Sequence, residues 1–221
     1  MKTLRNGWVL LRCALLLAAT AGVSLAESIG ADTLLNRMQK RYDSTQDYTA
    51  DFNQETEYRT VNRRIRGQGK VFFSKPAKML WLYEEPDGQF VLADGKHLYF
   101  YQPAEKQIIK TSLGAAFRSD LPLSFLLGIG KIRNDFRAEI VERQDADYVV
   151  NLHPRADNTG IQKLQLLITD QNYDIKRAQI QDTSGNRWTI DFRNIQRGVG
   201  LEPAIFELKT PQGVDVVEFG S

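Results

Sequence analysis

Two histidines, His97 and His153, and one thiol, Cys13, hold all the imidazole and sulfhydryl chemistry in 221 residues. Metal-assisted and nucleophilic catalysis draw first on such side chains. His97 follows the turn signal Asp94-Gly95-Lys96, and His153 precedes Pro154 at the end of an apolar run. Both read as solvated strand-end histidines. The sequence contains no HExxH, no G-x-S-x-G, no phosphate loop and no dinucleotide fingerprint. Carboxylates are scattered through turns, and "DTSGN" (182–186) lacks the remainder of a calcium loop. The inventory points to binding rather than catalysis.

Two clusters carry binding chemistry. "YRTVNRRIRGQGK" (58–70) concentrates positive charge. It reads either as a solvated hairpin arm or as a contact for an acidic partner or an anionic membrane surface. Trp81, Tyr83, Phe90, Tyr99, Phe100 and Tyr101 form an aromatic cluster. Without interleaved basic residues it does not suit stacking on single-stranded nucleic acid. Two readings remain, ordinary sheet core or the wall of a lipid-sized cavity in a curved sheet.

The elements that position these clusters follow from periodicity. "GADTLLNRMQKRYD" (30–43) predicts an amphipathic helix, with Asp32 as N-cap and Leu34, Leu35, Met38 and Tyr42 on one face. From Tyr48 the period becomes two. Strands are predicted around 48–58, 67–74, 78–85, 88–94, 97–103 and 106–113, and again from Phe136 onward, with "EPDG" and "DGK" as hairpin turns. Between the two sets, "RSDLPLSFLLGIG" (118–130) predicts a short helix that is apolar almost all round. In "KMLWLYEE" (78–85), Met79, Trp81 and Tyr83 share one face of the strand, and Leu80 and Leu82 the other. A half-buried strand needs only one apolar face, so the second requires an explanation.

The first 26 residues read as a secretory signal peptide. Lys2, Arg5 and Arg12 precede the apolar run "ALLLAATAGV" and the small-residue ending "SLA", with cleavage expected after Ala26. Cys13 follows Arg12, where lipid attachment requires a small residue, and it falls within this leader. Three of the 29 basic residues and none of the 27 acidic ones lie there, leaving 26 against 27. Net charge therefore gives no support to a nucleic-acid partner. Residues 27–221 form one expected domain, held by core burial without disulfides.

The order of several motifs resembles the periplasmic outer-membrane lipoprotein carriers, the LolA family. These are a helix, "F-x-Q" (Phe52, Gln54), "G-x-G-x-V-x-F" (67–73), "KPAKMLWLYEEP" (75–86), "ADGKHLYFYQP" (93–103) and "IFELKTPQGVDVV" (205–217). The resemblance implies a mainly β fold, an unclosed antiparallel barrel of about 10–11 strands with a helical lid. It implies a monomeric periplasmic chaperone rather than an enzyme, with no cofactor, no metal and no stable membrane insertion. Such a chaperone takes triacylated lipoprotein cargo from an inner-membrane ABC-type release complex to an outer-membrane acceptor lipoprotein. Met79, Trp81 and Tyr83, with Phe52 and Phe72, are the expected acyl-chain cavity. Leu34, Leu35, Met38, Leu123, Phe125, Leu126 and Ile129 are the expected lid residues. In the family an arginine just before the proline that opens the third strand hydrogen-bonds the lid. Here that position is Lys75, before Pro76, which offers three donors but no planar fork. The alternative is a related periplasmic lipid-binding or lipid-sensing protein on the same half-barrel.

Overall fold

The computed structural model describes residues 29–86, 88–114, 132–156 and 160–219. Helix α1 (Ala31–Ser44) precedes six strands: β1 (Asp47–Tyr58), β2 (Arg63–Ser74), β3 (Lys78–Glu85), β4 (Phe90–Asp94), β5 (His97–Gln102) and β6 (Gln107–Ser112). A one-turn helix, α2 (Ile132–Asp135), leads into β7 (Phe136–Gln144), β8 (Asp147–Pro154), β9 (Ile161–Ile168), β10 (Ile175–Asp182) and β11 (Arg187–Arg197). After a 3-10 turn at Pro203–Phe206 comes β12 (Asp215–Glu218).

Among the described residues, the twelve strands lie in one sheet, ordered β12-β6-β5-β4-β3-β2-β1-β11-β10-β9-β8-β7. Apart from β12 and β6, neighbours pair antiparallel in two meanders, and pairing of β1 with β11 joins the two halves. No pairing joins β7 to β12, so the sheet stays unclosed, as a half-barrel. The strand count exceeds the expected 10–11. The stretch 203–218 divides into the 3-10 turn, an extended crossing and β12, which pairs parallel with β6. Strand β2 also starts earlier than expected, at Arg63, because its arginines pair across to β1 carboxylates. Arg64 lies opposite Glu57 and Arg66 opposite Glu55, with guanidinium–carboxylate distances of 2.6 and 2.9 Å.

The N-cap position of α1 is Gly30, not the expected Asp32. Gly30 has extended backbone and no side-chain cap, and Asp32 sits in the first turn. Leu34, Leu35 and Met38 are buried. They pack against Tyr148, Val150, Leu152, Leu164, Leu166, Ile168 and Ala178 from β8–β10. Each buried side chain of this kind contributes about 1.5–3 kcal/mol. Here the opposite face of the sheet is polar, with Asn151–Gln165, Gln179–Thr189 and Arg177–Asp191 pairs.

The β1–β6 half buries side chains on both faces, which answers the question raised by β3. Met79 and Trp81 join Tyr48, Ala50, Phe52, Val71 and Phe73 on the face that carries α1. Leu80 faces the other way, into a cluster of Leu92, Tyr99, Ile108 and Phe206. The segment after β11 crosses that outer face, and its 3-10 turn packs on β3 and β4. Leu82, on the same face, stays exposed at 41%.

Candidate functional site

On the face of the sheet that carries α1, the β1–β5 part forms an aromatic floor, which α1 touches through Tyr42. Phe52 is the hub, 4.6 Å from Trp81 and 5.0 Å edge-on from Tyr83, measured between ring centroids. Phe192 from β11 meets Trp81 edge-on at 5.9 Å. Tyr48 stacks on Phe73 at 5.1 Å. Such pairs add about 0.5–1.5 kcal/mol each beyond burial. The Trp81 indole N–H points at the Met79 sulfur. The floor is therefore wide, aromatic and lined by the polarisable thioether of Met79.

Toward the β1–β2 turn this face becomes polar. The Tyr83 hydroxyl donates to Gln54 Oε1 at 3.0 Å, and Gln54 Nε2 donates to Thr56 Oγ1 at 3.2 Å. Burial pushes the Tyr83 pKa up to about 12. Tyr83 fits because β2 carries glycines beneath it. A Cβ on Gly67 would lie 3.1 Å from the Tyr83 ring, and one on Gly69 would lie 2.0 Å from the Leu82 carbonyl oxygen.

The structure groups four of the five expected cavity residues, Phe52, Met79, Trp81 and Tyr83. Phe72 is separated from them and must be corrected. Its strand neighbours Val71 and Phe73 take the face that carries α1, so Phe72 points outward and packs with Leu80. Of the expected lid residues, Leu34, Leu35 and Met38 sit under α1, over the β8–β10 half. Leu123, Phe125, Leu126 and Ile129 lie outside the described residues.

The C-terminal end of α1 is the most heavily bonded point of the site. Lys75 Nζ donates to the carbonyl oxygens of Tyr42 at 3.1 Å and Asp43 at 2.5 Å. These are among the last carbonyls of the helix, that of Tyr42 also accepting the Thr45 backbone N–H at 3.1 Å, and a cation there opposes the macrodipole. Thr45 Oγ1 donates to the Arg41 carbonyl and accepts from Arg197 Nε. Arg197 reaches the buried Asp174 at 2.7 Å, and Arg41 Nε faces the same carboxylate at 3.5 Å. Tyr42 packs against both the β8–β10 cluster and the aromatic floor. Burial raises its hydroxyl pKa well above the usual phenol range, and pushes that of Tyr48 up to about 12.

Sequence reasoning missed Phe192, Asp174 and Arg197. Alternation in "RWTIDFRNIQR" placed Trp188, Ile190 and Phe192 on one face, a signal sufficient for Phe192. Asp174 and Arg197 had no local signal, because their meeting depends on the β9–β10 turn lying beside the end of β11. No group of three or more metal-ligating side chains occurs among the described residues, and no helix there is long and apolar enough to cross a membrane.

An unclosed sheet with a helix on one face, its last turn held by the loop before β3, is the architecture of a half-barrel. Residues 43–209 match the model of the outer membrane lipoprotein carrier protein LolA, and the chain belongs to that family. It is 28% identical over 204 residues to the outer-membrane lipoprotein carrier protein of Bordetella avium, covering 91% of this chain and 96% of that one. The protein of the same name from Chromohalobacter salexigens is 28% identical over 210 residues, covering 94% and 97%. An uncharacterized conserved protein from Thermus thermophilus shares the fold, with a TM-score of 0.54 at 15% identity, covering 85% of this chain and 98% of that one.

Proposed function

We propose that residues 27–221 act as a periplasmic chaperone for triacylated lipoproteins, holding the acyl chains between the aromatic floor and the α1 lid. Cargo would come from an inner-membrane ABC-type release complex and pass to an outer-membrane acceptor lipoprotein. Leaving water is worth roughly 12 kcal/mol for an acyl chain of about sixteen carbons, at about 0.8 per methylene. Three such chains forbid free diffusion through an aqueous compartment, so transfer requires a covered apolar surface.

One observation carries the reading: the aromatic floor and α1 lie on the same face of the sheet, and Lys75 ties the helix end to the loop entering β3. A lid that shields the floor when empty lowers apparent affinity by the fraction of molecules that are open. Opening by the donor and capture by a tighter acceptor then give direction without any nucleotide chemistry in this chain.

Trp81 reports the event. In a Trp188→Phe background of residues 27–221, Trp81 is the remaining tryptophan, since Trp8 precedes residue 27. Addition of a tripalmitoylated cysteinyl peptide is expected to shift and quench its emission. Unchanged emission at saturating peptide removes Trp81 from the acyl site. Recovery of free phospholipid and no acylated protein from periplasm-expressed material sinks the cargo assignment.

A further inference from the structure

The basic stretch 58–70 is not used by the carrier reading. The β1–β2 turn comes beside the β10–β11 turn because Glu57 pairs with Arg187 across β1 and β11. The Arg59 backbone N–H donates to Asn186 Oδ1 at 3.1 Å, locking the two turns together. The Arg59 side chain lies over Gly185, whose φ of +83° and lack of a Cβ leave it room. Between the turns opens a recess of about 450 Å³ lined by Arg59, Arg63, Arg64 and Arg187, with the single carboxylate Glu57.

Charge there is not compensated. Glu57 is shared by Arg64 at 2.6 Å and Arg187 at 3.6 Å. Arg64 also reaches Glu55 at 3.2 Å. Arg59 and Arg63 have no carboxylate partner among the described residues. The cations are all arginine, whose planar fork grips tetrahedral and carboxylate anions with paired hydrogen bonds. Beside them stand exposed apolar side chains, with Val61 67%, Ile65 38% and Tyr58 37% accessible. Apolar tips set among guanidinium groups suit the boundary of an anionic lipid layer.

We propose that this recess binds the phosphate groups of anionic phospholipids and docks the molecule, by this rim, on a membrane surface. The inference stands on the recess alone and is independent of the cargo. It places against the membrane the rim at which the face that carries α1 turns polar at Gln54, Thr56 and Tyr83.

The test is flotation of residues 27–221 with vesicles of phosphatidylcholine alone and of phosphatidylcholine mixed two to one with phosphatidylglycerol. Binding is expected only to the mixed vesicles, and to weaken as ionic strength rises. The exposed pair Arg59→Gln and Arg63→Gln should weaken it roughly 25-fold, at about fivefold per arginine. Val61→Asp should also weaken it. Circular dichroism checks that both variants fold. Equal binding to both vesicle types, or unchanged binding of the double arginine variant, overturns the proposal. So does absence of vesicle binding together with arginine-dependent binding of polyglutamate, which assigns the recess to an acidic protein partner.

Discussion

Lys75 Nζ lies 3.1 Å from the carbonyl oxygen of Tyr42, so the loop that starts β3 holds the last turn of α1. A charged donor on terminal carbonyls contributes about 1–3 kcal/mol. Lys75→Met should speed hydrogen exchange of the amides in the last turns of α1, whereas Lys75→Arg should keep them slow. Identical exchange in Lys75→Met and the parent would remove Lys75 as a latch.

Asp174 sits between Arg197 and Arg41 with 7% of its side chain exposed. Asp174→Asn leaves Arg197, itself 14% exposed, without its countercharge. The expected loss is about 3 kcal/mol by urea unfolding. Adding Arg197→Met should restore part of it, since the stranded charge is then gone. Additive losses in the double variant would show that the pair is not coupled.

Phe206 fills the outer cluster with Leu92, Tyr99 and Ile108, on the side of the sheet away from α1. Phe206→Ala should cost about 3–5 kcal/mol and leave the Trp81 response to acylated peptide intact. A variant that stays folded but loses that response would mean the two faces are not separate.

Burial pushes Tyr48 from a pKa of 10.0 up to about 12. The unfolded chain gains from ionising this phenol above pH 10, while the folded one does not until about pH 12. Stability is therefore full below pH 10 and falls by about 2 kcal/mol as pH rises toward 12. Urea midpoints from pH 8 to 11.5 should show Tyr48→Phe losing less stability than the parent. Parallel curves would contradict the burial argument.

Gly69 approaches β3 so closely that a Cβ would meet the Leu82 carbonyl oxygen at 2.0 Å. Gly69→Ala is expected to cost about 1–3 kcal/mol by thermal unfolding. An unchanged Tm would mean that the backbone gives way freely there.

Much of the fold was legible because its signals are local. Alternation from Tyr48 onward marked the strands, and the Leu34-Leu35-Met38 spacing marked the helix and its buried face. Lys75 came from the family resemblance at "KP" and not from a local signal, since its bonds to Tyr42 and Asp43 span more than thirty residues. Phe72 and Phe73 show where such reading stops. Adjacent strand residues take opposite faces, and only the pairing of Phe73 with Met79 and Phe72 with Leu80 says which is which. The parallel β12 and the Asp174–Arg197 contact depend on distant segments meeting, which no window of sequence contains.

Strand β3 is apolar on both faces, so hydrophobicity does not tell it which way to sit. A slip by one residue would exchange Met79, Trp81 and Tyr83 for Leu80 and Leu82 on the face that carries α1, leaving an apolar set there still. What forbids the slip is steric. The Tyr83 ring needs Gly67 beneath it, and the shifted pairing at Gln68/Gly69 admits the strand in one frame only. The two glycines of "GQG" thus act as a key that sets the frame of β3, deciding which side chains an acyl chain would meet.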